Sequence, residues 1–198
     1  MNFQIQREMP RAQRAWLSIF LFLAAGALAF APQKTHAQTG ASREYQIKAA
    51  FLFHFAQFVE WPSVDFTNAN APFVIGVLGD NPFGNALDEI VKGESISNRK
   101  ITVQYSRSAE DLKNCQIVFV SKSEKTRLSR ILAELNRKNI LTVGECDGFT
   151  QLGGVMNFYL ENDTVHFEIN PDAAAREKLK ISSLLFRLGK IVTTRPKN

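Results

Sequence analysis

The feature that most constrains the fold is a series of short apolar segments separated by helical ones. "FVIGVLG" at 73–79, "CQIVFVS" at 115–121 and "ILTVG" at 140–144 are bounded by turn residues and are too short for typical helices. Helical patterns lie between them, with Asn81 and Ser123 as predicted caps. Strands that alternate with helices at this spacing predict a parallel sheet covered by helices on both faces.

The pattern changes after residue 150. Two further strand-like runs, at 155–160 and 164–169, are separated by Glu161-Asn162-Asp163 and predict an antiparallel hairpin. Asn170 then caps a final helical region, whose periodic apolar residues run to Val192. The predicted fold class is therefore α/β, with three layers: a mainly parallel sheet flanked by helices, with an appended antiparallel hairpin.

The stretch "IKAAFLFHFAQFVEWP" belongs to a helix predicted from Ser42 to Trp61 and ended by Pro62. At 100° per residue, six apolar side chains share one side and are predicted to face the core: Ile47, Phe51, Leu52, Phe55, Phe58 and Val59. The other side carries His54, Gln57 and Glu60, together with Phe53. Because the run is short and has a polar stripe, it predicts a buried amphipathic helix and not a membrane span.

Residues 1–37 have the pattern of a secretory signal peptide, with three arginines before a mostly apolar run and a cleavage site after Ala37. A retained membrane anchor is the alternative, because the apolar run lies at the lower limit of spanning length. Residues 38–198 are predicted to form one exported domain. Four of the 24 basic and one of the 19 acidic residues lie in 1–37, which leaves 20 basic and 18 acidic residues and a net charge of +2. This balance gives no indication of nucleic-acid binding.

The two cysteines are predicted to remain unpaired. Cys115 begins one predicted strand and Cys146 follows the end of the next, so parallel neighbours would hold them at opposite ends of the sheet. That separation is on the order of 15 Å at the usual rise per residue. A disulfide needs Cα atoms within about 7 Å.

No motif for catalysis, a cofactor or a metal ion is present in the sequence. Gly76, Gly79 and Gly84 do not have the spacing of a dinucleotide fingerprint, and the chain has no phosphate-binding Gly-Lys-Ser/Thr motif or nucleophile elbow. His54 and His166 have no partner at metal-ligand spacing. We therefore predict that the protein is not an enzyme and needs no cofactor. A dispersed active site would require these histidines and a carboxylate to converge in a cleft.

Six segments in order resemble the YfiR family: "IKAAFLFHFAQFVEWP", "FVIGVLGDNPFG", "LKNCQIVFVS", "ILTVGECDGFTQLGGVMNF", "VHFEIN" and "LKISSLLFRLGKIV". The resemblance covers about Tyr45 to Val192. It implies a dimeric α/β protein of the periplasm, without enzymatic activity, that represses an inner-membrane diguanylate cyclase. Binding to the periplasmic sensor domain of the cyclase would lower cyclic di-GMP and biofilm formation.

The resemblance also implies candidate binding residues. Some members bind small aromatic metabolites through basic residues beside the Trp-Pro pair and on the hairpin. The matching positions here are Glu60, next to Trp61, and His166 and Glu168, so that acidic groups stand at two of them; these four are the candidate ligand residues. Other members release repression when disulfides are lost, and this chain has only two cysteines.

We predict that Phe53 and Gln57, on the otherwise polar side of the first helix, contact the cyclase. The alternative function is a periplasmic receptor for a small ligand that signals to another membrane protein. A pocket containing both Trp61 and His166 would favour that alternative.

Overall fold

The computed structural model describes residues 40–62, 68, 71–136 and 138–193, with the backbone alone for 40–42. These residues lie within one compact unit, Gln38–Asn198. The segment 1–37, for which a signal peptide is predicted, lies outside the described residues.

Five α-helices are present in the part of the chain that the structure describes: α1 Gly40–Phe58, α2 Ala86–Val91, α3 Leu128–Leu135, α4 Pro171–Arg176 and α5 Ser183–Leu188. The strands in the same residues are β1 Val59–Glu60, β2 Phe73–Leu78, β3 Ser95–Ile96, β4 Arg99–Ser106, β5 Ile117–Val120, β6 Leu141–Gly144, β7 Met156–Glu161, β8 Thr164–Ile169, β9 Lys180–Ile181 and β10 Lys190–Ile191. Two 3-10 helices complete the set: Glu110–Leu112 and Lys122–Arg127.

Eight of these strands form one mixed sheet in the order β10-β8-β7-β6-β5-β2-β4-β3. Strands β4, β2, β5, β6 and β7 pair in parallel, while β7 and β8 form the antiparallel hairpin. The predicted α/β class is confirmed, because helices cover both faces of this mainly parallel sheet. The chain adds β4 on one side of β2 and then β5 on the other side. The order of strands therefore reverses at β2.

The two faces of the sheet carry separate apolar cores. Alternate residues of β2 point to opposite sides, as Ile75 and Val77 do relative to Leu78. Helices α1, α2, α4 and α5 contribute to the core on the first face, which contains Ile75 and Val77. Helix α3 and the 3-10 helix before β5 cover the second face, which contains Leu78.

A close approach on the second face depends on two glycines. Phe149 is fully buried in the loop between β6 and β7. A Cβ atom added to Gly144 or Gly154 would lie 2.4 Å or 2.1 Å from a carbon atom of that ring. Only residues without a side chain leave room for Phe149 here, because real Cβ contacts are longer.

Several predicted element ends are wrong. Helix α1 begins two residues before Ser42 and ends at Phe58, because Val59 and Glu60 pair with Ile181 and Lys180 in a separate two-stranded sheet. Trp61 therefore follows a strand. Hydrogen bonding to another segment of the chain replaces the last helical turn that periodicity predicts.

The predicted caps also act differently. Asn81 accepts a hydrogen bond from the backbone of Phe83 and closes a turn, and α2 starts only at Ala86. Ser121 caps the 3-10 helix that precedes α3, where Ser123 was the predicted cap. At the C-terminal end, helix α5 stops at Leu188, and Ile191 lies in strand β10.

Candidate functional site

Helix α1 turns a partly apolar face towards solvent. We call it the outward stripe and define it by five residues: Ile47, Phe51, His54, Gln57 and Phe58. Ile47 and Phe58 are 39% and 38% exposed, although they were predicted to face the core. Phe51 is half-buried, and His54 and Gln57 are exposed. The prediction was therefore wrong for Ile47 and Phe58, which it assigned to the buried side of α1.

The spacing within the outward stripe is that of a helix-packing seam. Residues 47, 51, 54 and 58 are separated by four, three and four positions, which is the a/d spacing of a coiled coil. His54 Nδ1 lies 3.0 Å from Gln57 Oε1, so two polar members of the stripe hold each other. The stripe therefore combines apolar area with fixed hydrogen-bonding groups, as protein-binding surfaces do.

The opposite side of α1 fixes the stripe to the sheet. Phe55 is fully buried, and its ring lies 5.7 Å from that of Phe158 and 5.1 Å from that of Phe167. Ala49 and Ala56 are also buried on this side. Their small side chains allow the helix to lie close to the strands. The stripe is thus carried by a helix with a well-packed support.

The predicted partner-binding residue Phe53 is half-buried and packs against the core of the first face. It lies beside the stripe, and its ring centroid is 5.8 Å from that of His54. Gln57, the other predicted contact, is exposed within the stripe.

A buried ion pair, absent from the sequence predictions, fastens α1 to the carboxyl end of β6. Lys48 Nζ lies 2.7 Å from Glu145 Oε2 and 2.5 Å from Glu44 Oε1. The side chains of Lys48 and Glu145 are only 5% and 3% exposed. The Tyr45 hydroxyl donates to the same Glu145 oxygen at 3.0 Å, and the Lys122 backbone N–H donates to the other at 2.9 Å.

These contacts change the pKa of Tyr45. The sequence separation of Lys48 and Glu145 also explains why the sequence did not predict the ion pair. Burial, followed by the negative charge of Glu145, raises the pKa of Tyr45, so its hydroxyl remains a donor. Lys48 and Glu145 are 97 residues apart. No local sequence pattern predicts that these two residues meet, because only the packing of α1 against the sheet brings them together.

The predicted ligand residues Glu60 and Trp61 lie directly after helix α1, at the end of strand β1 and in the residue that follows it. Glu60 is exposed and pairs with Lys180 in the two-stranded sheet. The Trp61 ring packs edge-on against Phe73 at 5.0 Å, and its Nε1 donates to the Gln116 carbonyl at 3.1 Å. Trp61 therefore joins the first face of the sheet, with its polar atom already paired.

The predicted ligand residues His166 and Glu168 lie on the other face. They alternate along β8 with Val165 and Phe167, which belong to the first-face core. His166 stacks on Tyr159 at 5.6 Å, while Glu168 accepts a hydrogen bond from Thr150 at 2.5 Å.

The structure does not bring the four predicted ligand residues into one pocket. Strand β8 lies four positions from β2 in the sheet, about 19 Å at the usual strand spacing. Trp61 and His166 are also on opposite faces. His54 lies on the solvent side of α1, so the two histidines do not converge either. Among the described residues, no cluster of three or more His, Cys, Asp or Glu side chains could hold a metal ion.

Both cysteines are buried free thiols. Burial raises the pKa of Cys115 to about 12. Burial and the neighbouring Glu145 carboxylate also raise the pKa of Cys146. The register of β5 with β6 places the two cysteines beyond opposite ends of these strands.

Residues 45–190 match the model of the YfiR/HmsC-like family. The chain belongs to this family. Its members are periplasmic regulators in cyclic di-GMP signalling. The predicted family resemblance is thus confirmed over nearly all of the described domain.

The solved structures that resemble this YfiR/HmsC-like chain have low sequence identity to it. No curated protein matches it. A conserved domain protein from Vibrio cholerae has 9% identity and a TM-score of 0.47, with 76% of this chain and 60% of that chain covered. The ABC domain from Streptococcus pneumonia, solved in complex with L-Trp, has 8% identity and a TM-score of 0.45, with 66% and 58% covered. The chain thus spans about three fifths of each of these structures.

No helix among the described residues combines the length and the apolar composition that crossing a bilayer requires.

Proposed function

We propose that this protein is a periplasmic regulatory binding protein that represses an inner-membrane diguanylate cyclase. In this proposal it binds the periplasmic sensor domain of the cyclase and thereby lowers cyclic di-GMP and biofilm formation. The observation that carries the proposal is the family match over residues 45–190. Export by the predicted signal peptide and assembly as a homodimer are parts of the same proposal.

A non-enzymatic role is consistent with the arrangement of polar groups. The proton-transfer candidates His54 and His166 lie on opposite sides of the molecule, and both cysteines are buried with raised pKa values. General acid–base or thiol chemistry needs such groups to be adjacent and accessible. The proposed activity therefore lies in binding alone.

The outward stripe is our proposed contact surface for the sensor domain. Its seam spacing fits a helix of the partner, with the aromatic ring of Phe58 as an anchor and His54 and Gln57 as polar contacts. Phe53 would support His54 from the side. The rigid packing of Phe55 beneath the stripe favours binding, because little ordering is needed when the partner arrives.

The alternative function, a small-ligand receptor built around Trp61 and His166, is less well supported. These two residues lie on different faces of the sheet, and the indole nitrogen of Trp61 is already bonded to Gln116. A small aromatic ligand at Glu60, Trp61, His166 and Glu168 would contact only one part of this set.

Gene deletion tests the proposal. We expect cyclic di-GMP to rise when the gene is deleted, and to stay at its basal level when the target cyclase is deleted as well. An unchanged concentration in the first deletion would contradict repression. A rise that persists without the cyclase would identify a different target.

A second experiment tests the surface. Phe58→Lys places a charge in the stripe, and Leu188→Lys is the matched control because Leu188 is 62% exposed on α5 outside the stripe. We expect F58K to lose binding by about 30-fold or more, as anchor residues do, and to raise cyclic di-GMP at equal periplasmic protein level. Full repression by F58K would exclude the stripe while leaving the repressor function intact.

A further inference from the structure

We propose that a cavity at the carboxyl ends of β2 and β4 binds a small organic carboxylate. The cavity has a volume of about 220 Å³. Eight residues line it: the apolar Leu78, Ala109 and Ile131, the arginines Arg107, Arg127 and Arg130, and Ser108 and Glu134. None of them belongs to the predicted ligand residues or to the outward stripe.

The position of the cavity in the fold favours a ligand site. Leu78 is the last residue of β2, Arg107 directly follows β4, and Arg127 directly precedes α3. The order of strands reverses at β2. In open α/β sheets, ligands bind outside the carboxyl ends of the strands, and the cavity lies at this edge, next to the β2–β5 crevice where the order reverses.

The arginines keep donors for a ligand. Each guanidinium uses one nitrogen for a protein carboxylate: Arg107 Nη2 with Asp80 at 2.6 Å, Arg127 Nη2 with Glu124, and Arg130 Nε with Glu134 at 2.8 Å. Arg127 Nη2 also lies 3.5 Å from the Arg107 carbonyl. Their remaining nitrogens have no partner in the described part of the chain.

The lining specifies the class of ligand. A planar guanidinium matches a carboxylate through two parallel hydrogen bonds. Leu78, Ala109 and Ile131 supply the apolar part of the lining, which a small organic body can contact while its carboxylate meets the arginines. The volume is below the ~300–1,000 Å³ of typical pockets for drug-sized ligands. A small carboxylic acid fits these conditions, whereas a bare anion makes no contact with the apolar side chains of the lining.

This site is independent of the proposed repressor surface. The stripe lies on α1, which packs on the first face of the sheet, whereas α3 covers the second face. Loss of carboxylate binding would therefore leave the proposed contact with the cyclase sensor domain untouched.

Nuclear magnetic resonance titration of the protein expressed from its full-length gene tests the site, with benzoate as the probe. We expect saturable shifts of the Ser108, Ala109 and Ile131 amide signals in the millimolar range. Benzamide has the same shape without the charge, and inorganic phosphate has charge without an apolar body. Both should bind about tenfold more weakly.

Variants then assign the binding to the cavity. Arg107→Gln and Arg130→Gln change exposed side chains, and each should weaken benzoate binding about tenfold. Ser108→Trp should fill the cavity and abolish the shifts. Arg187→Gln, an exposed arginine of α5 outside the cavity, is the matched control and should bind normally.

Three results would overturn the proposal. The absence of saturable shifts at the cavity residues would exclude the site. Equal binding of benzamide or phosphate would exclude a carboxylate as the ligand class. Equal weakening by R187Q would show that only the overall charge of the protein attracts benzoate.

Discussion

The two sides of helix α1 both carry large apolar residues, but one side is buried and the other is partly exposed to solvent. Leu52 and Phe55 are fully buried against the sheet, whereas Ile47 and Phe58 are more than a third exposed. The buried side also contains Ala49 and Ala56, which bring the backbone close to the strands. Close approach of the helix, and not the largest side chains, therefore decides which side faces inward.

The two sides of α1 therefore have different expected roles, the inward side in stability and the outward side in partner recognition. The inward side contributes apolar burial and aromatic packing to the free energy of folding. The outward side leaves apolar area available at a regular helical spacing, which is the arrangement that we assign to the partner. Changes on the inward side should alter unfolding, and changes on the outward side should alter binding.

The largest expected effect is that of Phe55→Ala. The substitution removes a fully buried ring between Phe158 and Phe167 and should lower the free energy of unfolding by about 3–5 kcal/mol. Urea denaturation measures it. A loss below about 1 kcal/mol would show that the inward packing of α1 is not what stabilises the domain.

The next effect concerns the attachment of α1 to the sheet. Glu145→Gln leaves the buried Lys48 charge with Glu44 as its remaining anionic partner and should cost about 3 kcal/mol. Glu134→Gln breaks an ion pair with a largely exposed Arg130 and is the control, with an expected cost below about 1 kcal/mol. Equal losses in urea denaturation would contradict the role of the buried pair.

A smaller effect, at most ~1.4 kcal/mol at pH 10, depends on Cys115 on the second face of the sheet. The pKa of Cys115 is about 12 in the folded protein, against an ordinary value of 9.0. The folded state therefore keeps a proton that the unfolded state releases. This contribution to stability is complete below pH 9 and is lost as the pH rises from 9 towards 12, by at most ~1.4 kcal/mol per pH unit.

Comparison with Cys115→Ala isolates this contribution. Urea denaturation at several pH values should give a steeper fall for the unchanged protein than for C115A above pH 9. Parallel curves would show that the thiol does not titrate differently on unfolding.

The smallest effect on stability is expected for Phe58→Ala on the outward side. Its ring is 38% exposed, so truncation should cost about 1 kcal/mol or less. Repression in the cell should nevertheless weaken if the stripe contacts the cyclase. A cost as large as that of F55A would remove the distinction between the two sides of α1.

The sequence alone determined the central strands and the class of fold. The apolar runs that became β2, β5 and β6 are bounded by turn residues. The predicted hairpin is present, although its turn consists of Asn162-Asp163 alone, because Glu161 belongs to β7 and pairs with Thr164. Buried strands are recognisable in the sequence because nearly all of their residues are apolar. The order of the matching segments also revealed the family.

Only the tertiary structure decided the ends of α1, its buried side and the candidate sites. Pairing with β9 converted Val59 and Glu60 from helix to strand, and the depth of Ala49 in the core turned Phe58 outward. Lys48 meets Glu145 only because the sheet brings distant segments together, and the arginine-lined cavity likewise draws on three separate segments. Local periodicity records which side chains are apolar, whereas distances between remote segments are set by packing of the whole domain.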